Sequence, residues 1–270
     1  MSSTPTIEEL AGAAPQLPTA GRLKGRVCLV TGATSGIGRA TALRMAAEGA
    51  AAVVVTGRRE ELGQSLAAEI REHGADSLCV VADVTREHDV ASTIRQAQAR
   101  FGRLDAVFNN AGYQERRAPL AEQGDEVYAR VFDTNVRALC HAMRHAISAM
   151  LASGGGTIVN NTSVSGIRNP NAGLSLYSAS KAAANSLTRS AAMEYAPSGI
   201  RINAVAPGRV VTDMMRSAGI ADMRAVAAGL PLRRMGHPEE VAAAVIWLMS
   251  DEALYVVGHV LATDGGFLAG

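Results

Sequence analysis

From Gly25 onward, short β-branched runs alternate with Ala-rich amphipathic stretches, and no other feature limits the possible folds as sharply. Strands are expected at Val27–Thr31, Ala52–Thr56, Ser77–Ala82, Ala106–Asn109, Gly156–Asn160, Arg201–Val205 and Val260–Thr263. Helices are expected at Ile37–Glu48, Arg59–His73, Glu87–Phe101, Tyr177–Tyr195 and Val241–Met249. A long helix over Glu126–Leu151 is expected to break near its start. Strand–helix alternation at this spacing means parallel strands joined by right-handed crossovers. Uninterrupted apolar runs such as Val53-Val54-Val55 suit strands covered on both faces. The expectation is one α/β domain over residues 25–270, a doubly wound parallel sheet without an internal linker.

Two local patterns carry chemistry. Thr31-Gly32-Ala33-Thr34-Ser35-Gly36-Ile37-Gly38 falls between the first strand and the first helix. There glycine allows close backbone approach, and helix N–H groups can meet a pyrophosphate. A tight turn without a ligand is the plainer reading of such a loop, and its strand–helix context favours a nucleotide. Far downstream, Tyr177 and Lys181 stand four residues apart, on one face of a helix. A tyrosine alone is a poor base at neutral pH, and a nearby cation stabilises its phenolate. The pair can therefore exchange a proton with an alcohol or carbonyl oxygen.

Composition excludes several classes. The 270-residue chain is 48% hydrophobic with a formal charge of +1, so neither nucleic acid nor an anionic membrane should attract it strongly. Aromatic residues make up 4%, too few for base-stacking surfaces. No segment approaches the ~20 apolar residues of a membrane span. Cys28, Cys79 and Cys140 form no CxxC pair and read as buried small hydrophobes, which fits a reducing cytoplasm. Residues 1–24 lack a leader pattern and read as a flexible extension, with room for a short helix near Thr6 to Ala11. His141 and His145 share a helix face without a third ligand, so no metal site is expected and a surface or subunit contact is.

Several separated motifs occur in one order: the Thr31–Gly38 loop, Asp83-Val84, Asn109-Asn110-Ala111-Gly112, Asn135, Ser163, Tyr177 with Lys181, and Pro207-Gly208-Arg209-Val210-Val211-Thr212. In this the chain resembles the short-chain dehydrogenase/reductase family, from about Gly25 to Gly266. The resemblance implies a Rossmann-type sheet of about seven strands and a nicotinamide cofactor. Gly32, Thr34, Ser35, Gly36, Ile37 and Gly38 would cradle the pyrophosphate. Asp83 and Val84 would hold the adenine, and Asn110, Ala111 and Gly112 would line the path past its ribose. Pro207, Gly208, Val210 and Thr212 would wrap the nicotinamide, and Tyr177 and Lys181 would also bond its ribose. Asn135, Ser163, Tyr177 and Lys181 would form the catalytic set, with Asn135 at a helix kink. Ser163 lies fourteen residues before Tyr177, one more than is usual in the family. The extra residue is placed in the Asn169–Gly173 turn, and Ser165 and Thr162 are the alternative hydroxyls.

The second strand is followed by Gly57, Arg58 and Arg59 rather than by an acid. A guanidinium suits a 2′-phosphate, so Arg58 favours NADP(H), with NAD(H) the alternative. The expected activity is interconversion of a ketone or aldehyde with an alcohol, with Tyr177 as general acid/base. A dinucleotide-binding regulator without turnover and a dehydratase or epimerase retaining its cofactor are the rival readings. The substrate walls are placed at Tyr113–Leu120, Val164–Leu176 and Met214–Leu232, the last of them within a mobile substrate loop of about 212–235, with Met214, Met215, Met223, Leu230 and Leu232 as an apolar lining. Arg116 and Arg117 read as solvated loop charges. The resemblance further implies a homotetramer or homodimer.

Overall fold

The computed structural model describes Thr6, Glu9 and residues 21–169, 172–220 and 222–270. The helix expected near Thr6 to Ala11 lies outside the described residues, apart from Thr6 and Glu9. Seven parallel strands form one sheet: β1 (Val27–Thr31), β2 (Ala52–Gly57), β3 (Asp76–Val81), β4 (Ala106–Asn109), β5 (Gly156–Asn161), β6 (Ile200–Pro207) and β7 (Val260–Thr263). Their spatial order is β3-β2-β1-β4-β5-β6-β7. The chain winds outward from β1 to β3, then returns to lay β4 on the other side of β1. This reversal parts the loops after β1 and β4 and opens a crevice at the carboxyl ends of the strands.

The side-chain period of two sorts the strands between two cores. Cys28, Val30, Val53 and Val55 pack under α1 (Gly36–Ala47), α2 (Glu60–Glu72) and the later helix Pro238–Met249. Leu29, Val54, Val107, Ile158 and Ile202 pack under α3 (Glu87–Phe101) and, further along the chain, the helices Ala138–Ser153 and Ser175–Tyr195. Between α3 and Ala138–Ser153 runs α4 (Asp125–Phe132), so the latter two helices are α5 and α6. Gly49, Gly102 and Gly154 follow α1, α3 and α5 with φ of +81°, +78° and +89°, a conformation that strains any side chain. Two short helices, α7 (Asp213–Arg216) and α8 (Met223–Ala228), interrupt the chain after β6. Pro238 then opens α9 (Pro238–Met249), and Glu240 accepts the His237 N–H at 2.8 Å.

The break expected near the start of the long helix is a π turn, Asp133–Arg137, which separates α4 from α5. Asn135 stands at its centre with its amide turned inward. One expectation needs correction. Of the cysteines only Cys28 is buried; Cys79 is half-buried and Cys140 is exposed on the outer side of α5. His141 and His145 make the surface contact expected of them, 3.7 and 3.3 Å from the exposed Glu87 carboxylate that begins α3.

The 3₁₀ turn Val164–Gly166 rests directly on α6. A Cβ at Gly166 would lie 2.6 Å from the carbonyl carbon of Lys181 and 2.8 Å from the nitrogen of Ala182. Both are backbone atoms of a long helix and cannot step aside. Gly166→Ala is therefore expected to cost about 1–3 kcal/mol by overpacking. Urea denaturation checks this, and an unchanged midpoint would show that the turn has slack.

Candidate active site

The crevice is a cleft of about 650 Å³. It is lined by Gly32, Thr34, Ser35, Gly36 and Ile37 after β1, Arg58 after β2, Asp83 and Val84 after β3, and Asn110, Ala111 and Gly112 after β4. Ser163, Tyr177, Lys181, Pro207, Gly208, Val210 and Thr212 complete it. Two residues from the expected set stand behind the wall instead. Gly38 is one: a Cβ there would lie 2.4 Å from the Gly32 carbonyl oxygen and 2.5 Å from Asn110 Nδ2, so its hydrogen is what lets the loop close. Asn135 is the other, and it is 3% exposed.

Glycine is required in the loop itself. Gly32 and Gly36 have φ of +62° and +52°. Ser35, the residue before α1, makes no side-chain cap, so the first N–H groups of the helix remain for a ligand. Asn110 braces the loop from β4: its Nδ2 donates to the carbonyls of Thr31 and Gly32, each at 3.0 Å. In return Thr31 Oγ1 accepts the N–H groups of Asn110 and Ala111 at 3.0 and 3.1 Å. Arg59 reaches over the same loop and donates to Thr34 Oγ1 at 2.8 Å and to Ser35 Oγ at 3.0 Å. Arg58 is exposed at the end of β2. Burial alone would raise Asp83, but hydrogen bonds from Thr85 and the charges of Arg58 and Arg86 outweigh it and hold this carboxyl below its usual range.

Tyr177 lies in the first turn of α6, and it lines the cleft together with Ser163, whose hydroxyl acts to lower the phenol's pKa. Thr162 spends its hydroxyl on the Val205 carbonyl at 2.9 Å, and Ser165 gives its N–H to Ser163 Oγ at 3.1 Å. Ser163 is thus the hydroxyl of the three that faces the phenol, despite the wide spacing; part of the turn assigned the extra residue, Pro170 and Asn171, lies outside the described residues. Lys181 is buried, with Nζ 2.8 Å from the Asn161 carbonyl and 5.6 Å from the centroid of the Tyr177 ring. Burial pulls this ammonium down to about 8. The phenol departs from expectation: burial pushes it up, and its counterweights are the Ser163 hydrogen bond and Arg209 rather than Lys181. Asn135 Oδ1 accepts the Tyr113 N–H at 2.8 Å, while Nδ2 donates to the Tyr113 carbonyl at 2.7 Å and to Ser180 Oγ at 2.9 Å. Its amide therefore clamps the cleft loop to the helix that carries Tyr177.

The substrate walls are more polar than expected. Met214 and Met215 line the cleft, but Met223 and Leu230 turn away and form a small core with Val211 and Met235. Leu232 packs near Gly265. Arg117 lines the cleft, whereas Arg116 is exposed outside it. Arg130, Arg209 and Glu115 belong to the site as well. Arg130 lies over the Tyr113 ring, 4.1 Å from its centroid. Arg209 is part of the Pro207–Thr212 motif, and that membership was the available signal that it lines the cleft. Glu115, inside the run Gln114-Glu115-Arg116-Arg117, gave none.

Comparison with known proteins agrees with this geometry. A family model described as enoyl-(acyl carrier protein) reductase matches residues 32–268. Cis-4-hydroxycyclohexanecarboxylate dehydrogenase of Sinomonas cyclohexanicum is 46% identical over 246 residues, covering 90% of this chain and 97% of that one. The crystal structure of levodione reductase superposes with a TM-score of 0.88 at 36% identity, covering 92% of this chain and all (100%) of that one. A 7α-hydroxysteroid dehydrogenase solved with NADH and 7-oxo glycochenodeoxycholic acid superposes with a TM-score of 0.87 at 31% identity, covering 91% and 95%. The sheet order, the braced glycine loop and the Ser163–Tyr177–Lys181 cluster thus go together with this similarity, and the chain belongs to the short-chain dehydrogenase/reductase family of nicotinamide-dependent oxidoreductases.

Proposed function

We propose that this chain is an NADP(H)-linked enzyme that interconverts a ketone and a secondary alcohol on a six-membered carbon ring, with Tyr177 as general acid/base. The observation that carries the reading is the largely buried Tyr177, which lines, together with Ser163 and Lys181, the same cleft as the glycine loop. The ring substrate is supported by two relatives, which are named for a hydroxycyclohexanecarboxylate and a hydroxysteroid. The residues fit a dinucleotide: the loop has no room for a Cβ at Gly38, and the α1 terminus is uncapped. Gly32 to Ile37 would hold its phosphates, Asp83 and Val84 its adenine, and Pro207 to Thr212 its nicotinamide. When bound, the nicotinamide supplies or takes the hydride. In reduction, Tyr177 gives its proton to the carbonyl oxygen while Ser163 donates a hydrogen bond to that oxygen. Lys181, held by the Asn161 carbonyl with Nζ 5.6 Å from the centroid of the Tyr177 ring, would bond the nicotinamide ribose. Exposed apolar side chains along the long helical arm, Tyr128 on α4 and Leu151 on α5, support a symmetric oligomer built on that arm.

Tyr177→Phe is expected to lower kcat for a cyclohexanone probe by about 10²–10⁴-fold, with NADPH affinity kept within a few fold. Steady-state kinetics with fluorescence titration of the nucleotide decides this, and retained turnover would exclude the tyrosine as acid. Arg58, beside a β2 end that offers Gly57 instead of an acid, is expected to make NADPH bind about tenfold or more tightly than NADH, and Arg58→Glu to reverse the order. Side-by-side dissociation constants test it; tighter NADH in the unaltered protein would make Arg58 a surface charge.

Lys181 also sets a pH dependence. Its folded value near 8 lies below the ordinary 10.5, so the native state releases this proton first. Stability should therefore rise as pH climbs from about 8 to 10.5, with the full penalty present below 8. Lys181→Met should lose turnover yet gain stability at pH 7, on the order of 1–3 kcal/mol, with the gain shrinking by pH 10. Denaturant melts at both pH values measure this, and a pH-independent difference would refute the assignment.

A further inference from the structure

Among the described residues three acids are buried: Glu48, Asp105 and Glu115. Glu48 meets Arg22 and Arg44 at 3.3 and 2.9 Å. Asp105 meets Arg103 at 2.6 Å and takes the Val27 N–H at 2.8 Å. Glu115 is 2% exposed and meets no arginine or lysine at ion-pair distance among the described residues. Its Oε1 accepts the backbone N–H of Tyr177 at 3.0 Å, and its Oε2 is buried without a partner. A buried carboxylate with half its capacity unused is costly, and a glutamine would serve as well to accept one N–H.

Closing the loop does not require the charge. Asn135 already takes both backbone groups of Tyr113, and the Ala118 N–H bonds the Gly173 carbonyl at 3.1 Å. What Glu115 adds lies at α6, where Tyr177 is the third residue and its N–H has no partner within the helix. Other charges around that helix are few. The turn Val164–Gly166 brings none, and the π turn brings Asp133 and Arg137, paired to each other at 3.0 Å. Arg130 of α4 lies over Tyr113, and Arg201 of β6 is spent on carbonyls at the far end of the strand. Lys181 stands on α6 itself. The charges that bear on the phenol are Glu115, from the loop after β4, and Arg209, from the segment after β6, with opposite signs.

We infer that Glu115 is a positioning residue for Tyr177, one carboxylate that both caps the turn carrying the phenol and holds a negative charge against it. The inference rests on Tyr177 being the acid/base. Oxidation of an alcohol needs the phenol without its proton, and reduction needs it with the proton. Glu115 favours the second state, so its charge delays the oxidative direction to higher pH.

The test is the pH profile of kcat/KM for oxidation of cyclohexanol with NADP+. In Glu115→Gln, which keeps the acceptor and removes the charge, the acidic limb should move down by about one unit, a gain of roughly tenfold on that limb. Glu115→Asp keeps the charge and should stay close to the unaltered protein. A limb that stays put in the glutamine variant, or moves alike in both, overturns the inference. So does a glutamine variant that cannot fold, since Glu115 would then be structural. A second readout needs no turnover: the phenolate absorbance titration of Tyr177, identified as the component missing from Tyr177→Phe. It should begin at lower pH in Glu115→Gln, and an unmoved titration overturns the inference. If the unaltered protein turns over no ring alcohol or ketone with either nucleotide, the functional reading fails, and the absorbance titration still decides the role of Glu115.

Discussion

Where β1 and β4 part, nothing in the sheet itself holds the two loops at a fixed distance, since the ladder ends there. Asn110 supplies the connection. Its Nδ2 grips the carbonyls of Thr31 and Gly32, and its Oδ1 accepts Asn161 Nδ2 at 2.9 Å. The Asn161 carbonyl in turn receives Lys181. One side-chain amide thus ties the glycine loop, the end of β4, the end of β5 and the helix that carries Tyr177 into a continuous path. Its members are partly or fully buried, and a polar group buried there is costly to leave unpaired. The distance between the glycine loop and Tyr177 is set by this path, and the proposed hydride and proton transfer would require it to be fixed.

Much of the frame was legible because it depends on local patterns. The strand–helix alternation specifies a parallel sheet, and the glycine loop marks where its crevice lies. The poor helix former Asn135 announced the break that the structure resolves as a π turn. Side chains whose role depends on distant partners were not legible. Glu115 sits in a run of polar residues that reads as a solvated loop, and it becomes buried because a helix 62 residues later presents its first turn there. Met223 and Leu230 read as a substrate wall because the loop is apolar, yet that apolarity serves a small core with Val211 and Met235. The lysine's influence on the phenol was inferred from spacing alone. Spacing is blind to desolvation, which the structure shows to be the largest effect on both groups.

That desolvation organises the reacting centre. Burial disfavours charge on either partner, so it raises the phenol and lowers the ammonium. Both groups are thereby held nearer to their neutral forms than either would be in water. A negative charge then has to be supplied or removed at small cost, and the surroundings meet this with paired opposites: Arg209 favours phenolate and Glu115 opposes it. Arg209 is itself lowered by burial and by Arg117 on the opposite wall. The cleft therefore concentrates positive charge, with Arg58, Arg59, Arg117, Arg130, Lys181 and Arg209 in its lining against Asp83 and Asp213. A polyanionic dinucleotide relieves that imbalance when it binds. It follows that the protonation state of Tyr177 and occupancy of the phosphate loop are linked through charge as well as through the Asn110 path, and neither can be understood with the other held fixed.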